Sequence, residues 1–423
     1  MEGTSEESTG RRLKPLWLAV SALVLAGCER AKVAPEAVAS SASALPAASA
    51  LPEDAPLPVS TVDVPEAAVE MTAYHQRAKA VVSAMDDATL AGQVIIAGID
   101  GAARLAAGMK TLLQHSQPGA LMLFSYNLNA DKDTARSFLA DCAAAVAEKS
   151  VPPFLAVDHE GGRVHRFGPG VKRLPAAESY WYRTLAVSWE QTLEELEYHA
   201  FQSGTEIHDM GITMNFAPIA EILTGKNALF LDTRSYGSNP AFVEAACAAF
   251  IRGMERAGVA CVVKHFPGNA EADPHKALPV IAGDRRALDV MVKPFAGLIR
   301  ARRPAAIMVS HVVAQARDET RNASLSPRIV NEWLRGELGF TGIAVADDFS
   351  MGAVAASGIQ AETAVIAALN AGIDMVMAWP STLASTHNAV LAAIKSEGRG
   401  RFEEAAERIV AQKIRFGIIN EAR

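Results

Sequence analysis

The chain has 423 residues, half of them hydrophobic, and a formal net charge of −7 from 40 basic and 47 acidic side chains. That length and apolar content admit one large α/β barrel or two to three smaller domains. The acidic balance, with no dense run of Lys or Arg beyond the N-terminus, excludes the electrostatic footprint of a nucleic-acid binder.

At the start, Arg11, Arg12 and Lys14 precede the apolar run Leu16 to Leu25, which ends in Ala26, Gly27 and Cys28. A basic start, a short apolar run and small residues read as a signal peptide over 1–27, because a membrane span needs about 20 apolar residues. The ending Leu25-Ala-Gly-Cys28 resembles a bacterial lipobox, which implies cleavage before Cys28 and a lipid on that residue. The expected location is therefore the cell envelope, with the chain membrane-anchored and facing the periplasm or the exterior. Residues 28–64 are rich in Ala, Ser and Pro and lack large apolar side chains, so they read as an extended tether. The remaining Cys142, Cys247 and Cys261 are odd in number and show no C-x-x-C pair, which indicates core residues rather than disulfides or zinc ligands.

From 65 to 423 short apolar runs alternate with Ala-rich amphipathic stretches of helical length. Eight runs are predicted strands: Val94–Ile99, Ala120–Phe124, Phe154–Val157, Thr213–Phe216, Val259–Val263, Ala305–Val309, Gly342–Val345 and Ile373–Met377. Between them, Asn239-Pro240 opens a helix that Gly258 can close, and Ser326-Pro327 opens another that Gly339 can close. No Gly-rich phosphate turn follows the first run, which argues against an open doubly wound sheet. The expectation is a single closed (β/α)8 TIM-type barrel.

In that fold the chemistry sits on the loops leaving the C-terminal strand ends. There the sequence places Asp158-His-Glu-Gly-Gly-Arg163, Ala217-Pro-Ile-Ala-Glu221, Lys264-His265, Ser310-His311 and Asp347-Asp348. Asp347 is a candidate nucleophile or electrostatic stabiliser at a rim, and His275 has the ordinary pKa of a proton shuttle. Asp273 lies two residues before His275, on the same side of an extended segment, where it can orient the imidazole and raise its pKa. Asp347 also reads as a helix-capping acid, and a lone loop His as a surface residue. Trp379 follows the eighth run at the same rim and is a candidate sugar platform or a packing residue.

The stretches Val157-Asp-His-Glu-Gly-Gly-Arg-Val-His-Arg-Phe167, Asn215-Phe-Ala-Pro-Ile-Ala-Glu221, Arg234-Ser-Tyr-Gly237, Lys264-His-Phe-Pro-Gly268, Leu338-Gly-Phe-Thr-Gly342 and Asp347-Asp-Phe-Ser-Met351 carry a resemblance. Together they are similar to the glycoside hydrolase family 3 β-N-acetylglucosaminidases of the NagZ type, from about Met85 to Ala378. The resemblance implies a retaining exo-enzyme acting on peptidoglycan-derived or chitin-like saccharides, with Asp347 as the nucleophile and His275, paired with Asp273, as the acid/base. It implies further that Asp158, Arg166, Arg234, Lys264 and His265 hold the sugar.

The sequence departs from the family pattern in three places. The loop Asn269 to His275 is about two residues shorter and carries Pro274, while Ala346 and Glu221 stand where Ser or Thr and Asp are commoner. A His acid/base would not repel phosphate, so a phosphorylase on the same site is an alternative, and a catalytically impaired sugar-binding lipoprotein is another. His265, Asp273, His275 and His311 are metal-ligand types without a metal-binding spacing. No cofactor or metal is expected, and a monomer is.

Overall fold

The computed structural model describes residues 64–148, 150–270, 277–301, 304–350 and 359–419. Eight parallel strands run in chain order around one sheet: β1 Ile95–Gly98, β2 Ala120–Leu123, β3 Phe154–Val157, β4 Met214–Asn215, β5 Ala260–Phe266, β7 Ala306–Val309, β9 Ile343–Ala346 and β10 Val376–Ala378. β10 pairs with β1 through Ile95 and Val376, and an isolated parallel bridge from Val345 to Met375 links β9 to the start of β10. The ring is thereby nearly closed, consistent with a TIM-type barrel. A separate short pair, β6 Val280–Ile281 with β8 Val313–Ala314, lies outside the ring and was not foreseen.

The strands were legible because both faces of a parallel barrel strand are covered, so each reads as an unbroken apolar run. Every residue of β1, β2, β3, β5, β7 and β9 is buried. One boundary needs correcting. β5 does not stop at Val263 but runs to Phe266, so Lys264 and His265 are strand residues on a rigid wall rather than the start of a loop.

Helices pack around the ring with the expected punctuation. The helix Pro240–Arg256 is capped by the Asn239 side chain, which accepts from the amides of Ala241 and Phe242, and Gly258 beyond it has φ +83°. The helix opened by Ser326-Pro327 covers Arg328–Glu337 and is wound as π turns. A helix at Val64–Ser83 packs along the last helix, Gly400–Arg415. Cys142, Cys247 and Cys261 are unpaired and buried. Trp333 is fully buried, and Trp181 and Trp189 pack on Phe242, so these three are packing residues.

At the N-terminal rim, the buried carboxylate of Asp374 binds Arg335, Arg401 and Arg408 at 2.5, 3.2 and 3.0 Å. It also accepts from the Ala344 amide. Burial alone would raise this carboxyl, but the three guanidiniums hold it below the usual range. The cluster ties the Arg328–Glu337 and Gly400–Arg415 helices to the ring. Nearby, the buried Lys413 donates to the neutral amide of Gln93 at 2.9 Å and lies over the Phe154 ring, and burial pulls its pKa down to about 7.

Candidate active site

A cleft of about 540 Å³ opens at the C-terminal strand ends, a volume suited to a small ligand. Its lining includes Asp158, Glu160, Arg234, Lys264, Asp347 and Trp379, drawn from five strand ends.

β3 delivers the acidic side. Its last residue, Val157, hands over to Asp158, and the turn through Glu160 is fixed by two devices. Asn215 on β4 clamps the backbone of His159, accepting from its amide and donating to its carbonyl at 2.9 Å each. Gly161 then takes φ +98°, and a Cβ there would stand 2.3 Å from the Pro175 carbonyl, so no other residue fits the turn. His159 itself points into the core against Ser203, and burial drives its pKa down to about 3, so it is a neutral structural ring.

Opposite, Lys264 on β5 is almost wholly buried, and its ammonium lies 2.6 Å from Asp158 Oδ1 and 2.6 Å from Glu160 Oε1. Arg234 grips Glu160 with two parallel bonds of 2.7 and 2.9 Å. Arg166 approaches Asp158 Oδ2 at 3.7 Å, and Phe230 lies under the Arg234 guanidinium. Burial pushes the Glu160 carboxyl up, but Lys264 and Arg234 outweigh it and leave the group well below the usual range. For Lys264 burial lowers the pKa, while Asp158 and Glu160 more than restore it, so the ammonium stays charged. The structure thus gathers Asp158, Arg166, Arg234, Lys264 and His265 in one cleft, and adds Glu160 at their centre. Glu160 stands in the sequence within the stretch Asp158-His-Glu-Gly-Gly-Arg163. Its signal was an acid directly before a Gly-Gly turn at a strand end.

His265 Nδ1 stands 2.6 Å from Glu221 Oε1, with both side chains buried. A carboxylate only accepts, so Nδ1 carries the proton of this bond, and Nε2 is the ring atom left for a ligand. Asn269 donates to the same Glu221 oxygen at 3.0 Å. Glu221, which ends the rim stretch after β4 and stands where the family more often has Asp, is what orients this imidazole.

Asp347 follows β9, and its Oδ1 accepts from the Asp348 amide at 2.9 Å. The Asp348 carboxylate accepts from Trp379 Nε1 and from Ser350. Both acids line the cleft, and the Asp348 carboxylate is engaged by Trp379 and Ser350 while Asp347 is held by the Asp348 amide. His311 is fully buried and donates from Nε2 to the Asp348 carbonyl at 3.1 Å, with Ser324 against Nδ1 at 2.7 Å. It is a rim support, and burial lowers its pKa. Asp273, His275 and Cys28 lie outside the described residues. Among those described, no three His, Cys, Asp or Glu side chains converge as a metal site would require.

A sequence model of the glycosyl hydrolase family 3 N-terminal domain matches residues 82–412. A β-hexosaminidase of Methylococcus capsulatus is 36% identical over 282 residues, which is 65% of this chain and 79% of that protein. Among solved structures, a glycoside hydrolase family 3 β-N-acetylglucosaminidase from Paenibacillus superposes with a TM-score of 0.74 at 30% identity, covering 80% of this chain and 64% of that one. NagZ from Neisseria gonorrhoeae, solved with N-trifluoroacetyl-D-glucosamine, superposes with a TM-score of 0.61 at 26% identity, covering 75% and 97%.

Proposed function

Because the chain belongs to glycosyl hydrolase family 3 and is a glycoside hydrolase, we propose that it removes terminal β-linked N-acetylglucosamine from a saccharide chain with retention. The observation that carries the reading is the cleft itself: a clamped set of charged groups beside a carboxylate that has one oxygen already bonded to a backbone amide.

In this reading Asp347 Oδ1 is held by the Asp348 amide while Oδ2 attacks C1 of the sugar. The C1–O bond to the leaving group breaks as a proton reaches the departing oxygen, and a covalent glycosyl ester forms on Asp347. Water then attacks C1 from the vacated side, a base accepts its proton, and Asp347 is released. His275, oriented by Asp273, is the proposed acid/base. Lys264, Arg234 and Arg166 supply donors to the sugar hydroxyls and N-acetyl group, while Asp158 and the Nε2 of His265 accept. The charged network is formed before substrate arrives, so ordering costs are small. Peptidoglycan-derived and chitin-like chains are the substrate classes proposed.

We also propose that the enzyme works at the cell envelope, anchored through a lipid on Cys28. The basic residues Arg11, Arg12 and Lys14, the apolar run to Leu25 and the Leu25-Ala-Gly-Cys28 ending support this. Radiolabelled palmitate should enter the full chain in a bacterial host and fail to enter Cys28→Ser; equal labelling of both would overturn the anchor.

The activity is tested with p-nitrophenyl N-acetyl-β-D-glucosaminide in phosphate and in phosphate-free buffer. Free N-acetylglucosamine should form at equal rates in both. N-acetylglucosamine-1-phosphate as the product would move the enzyme to the phosphorylases, and no turnover would overturn the reading.

A further inference from the structure

Three aromatic rings step outward from the cleft. Trp379, after β10, and Phe124, after β2, both line it together with Asp347. Their ring centroids are 5.2 Å apart with planes 26° from parallel, and Phe124 continues to Tyr126 at 5.8 Å and 11°. Tyr126 is 47% exposed, so part of its ring is open to a ligand. We propose that Tyr126, backed by Phe124 and Trp379, is an aromatic platform that stacks the sugar ring on the leaving-group side of the scissile bond. The proposal rests on the N-acetylglucosaminidase reading and assigns that site its second subsite.

The rings are held, not loose. Trp379 Nε1 donates to both oxygens of Asp348 at 3.2 Å, which fixes the indole relative to the neighbouring Asp347. The indole packs on Gly98 at the end of β1, where a Cβ would stand 3.1 Å from Trp379 Cε3. On the other side, Asn127 pins the short turn Ser125–Leu128. Its oxygen accepts from the Phe124 amide at 2.8 Å, and its nitrogen donates to the carbonyls of Ile99 and Gly101 at 2.9 and 2.6 Å. A ring fixed this way meets a ligand with little rotamer entropy left to lose.

Position and chemistry agree on the ligand. Around the barrel the charged groups stand on the β3, β4 and β5 side, whereas the aromatic array stands on the arc running from β10, next to the strand of Asp347, through β1 to β2. A terminal sugar whose hydroxyls are taken by the charged arc, with C1 at Asp347, must send its attached ring out through the mouth. Phe124 and Trp379 are an apolar part of the cleft wall, and Tyr126 continues the stack from Phe124 beyond that lining. A β-linked pyranose offers a face of C–H groups, which suits an aromatic ring and demands no further polar partner.

The test compares the full chain with Tyr126→Ala and Tyr126→Phe on N,N′-diacetylchitobiose, its trimer and methyl N-acetyl-β-D-glucosaminide, whose aglycone is too small to stack. For Tyr126→Ala, kcat/KM on the oligosaccharides should fall about tenfold, mainly through KM, with the methyl glycoside within twofold of wild type. Tyr126→Phe should match wild type on all three. An equal fall on every substrate, or no fall on the oligosaccharides, would overturn the platform. If the wild type cleaves none of them, the activity reading fails on its own account, and calorimetric titration of the disaccharide decides the rest. Binding about tenfold weaker in Tyr126→Ala upholds the platform; equal binding, or none to the wild type, overturns it.

Discussion

The ammonium of Lys264 and the carboxylate of Glu160 meet at 2.6 Å with both side chains about 95% buried, and Arg234 completes the pair from the other side. Charges taken out of water this far are tolerable only while each keeps its partner. Glu160→Gln leaves Lys264 and Arg234 with one counter-charge fewer, and should lower the unfolding free energy by roughly 3–5 kcal/mol in urea titration. It should also lower kcat/KM on the chromogenic glycoside by about a hundredfold or more, because the sugar-facing donors shift. A stable, active Glu160→Gln would show that the carboxylate is a bystander.

Glu221 acts through His265, not on the sugar. Glu221→Gln can present its NH₂ to Nδ1 and favour the other tautomer, turning Nε2 from acceptor to donor. KM should rise about tenfold with kcat within threefold, since the interaction lost is a binding one made equally in ground and transition states. Glu221→Asp, one methylene shorter, should fall between the two. A loss confined to kcat would place the dyad in the chemical step instead.

Asp374 binds three arginines at the rim opposite the cleft. Asp374→Asn should cost roughly 3–5 kcal/mol in denaturant unfolding, because the guanidiniums lose their buried counter-charge. Activity at 25 °C should stay within threefold of wild type. A catalytic defect without a stability defect would mean that the two rims are coupled.

Lys413 sets the alkaline side of the stability profile. Its folded pKa, about 7, lies below the 10.5 of an exposed lysine, so between those values the unfolded chain binds the extra proton. Stability should therefore rise with pH across that window, by up to about 1.4 kcal/mol per pH unit for one proton, and be fully penalised below pH 7. Lys413→Met, similar in length and uncharged, should flatten the slope in urea titrations at pH 7 and pH 9. An unchanged slope would show that the lysine stays protonated through its contacts with Gln93 and the Phe154 ring.

What the sequence made legible follows from how each signal arises. The barrel strands were readable because burial on both faces writes an unbroken apolar run, and Asn239-Pro240 with Gly258 marked a helix because caps are local. The extension of β5 was hidden: Lys264 and His265 look like loop residues until Asp158, Glu160 and Glu221, more than forty residues away in sequence, are seen to neutralise and orient them. The pair β6 and β8 spans two residues each, too short for any periodicity. Asp158, Arg166, Arg234, Lys264 and His265 meet in one cleft because rim position follows strand position, whereas the contacts of Glu160 and Glu221 emerged only with their partners.

The central claim is that Asp347 becomes the glycosyl ester. Incubating the full chain with a slow fluorinated N-acetylglucosaminyl donor, followed by proteolysis and peptide mass spectrometry, should find one sugar attached to Asp347 and none in Asp347→Ala. A label on Asp348 or any other residue, or turnover by Asp347→Ala near the wild-type rate, would contradict the account.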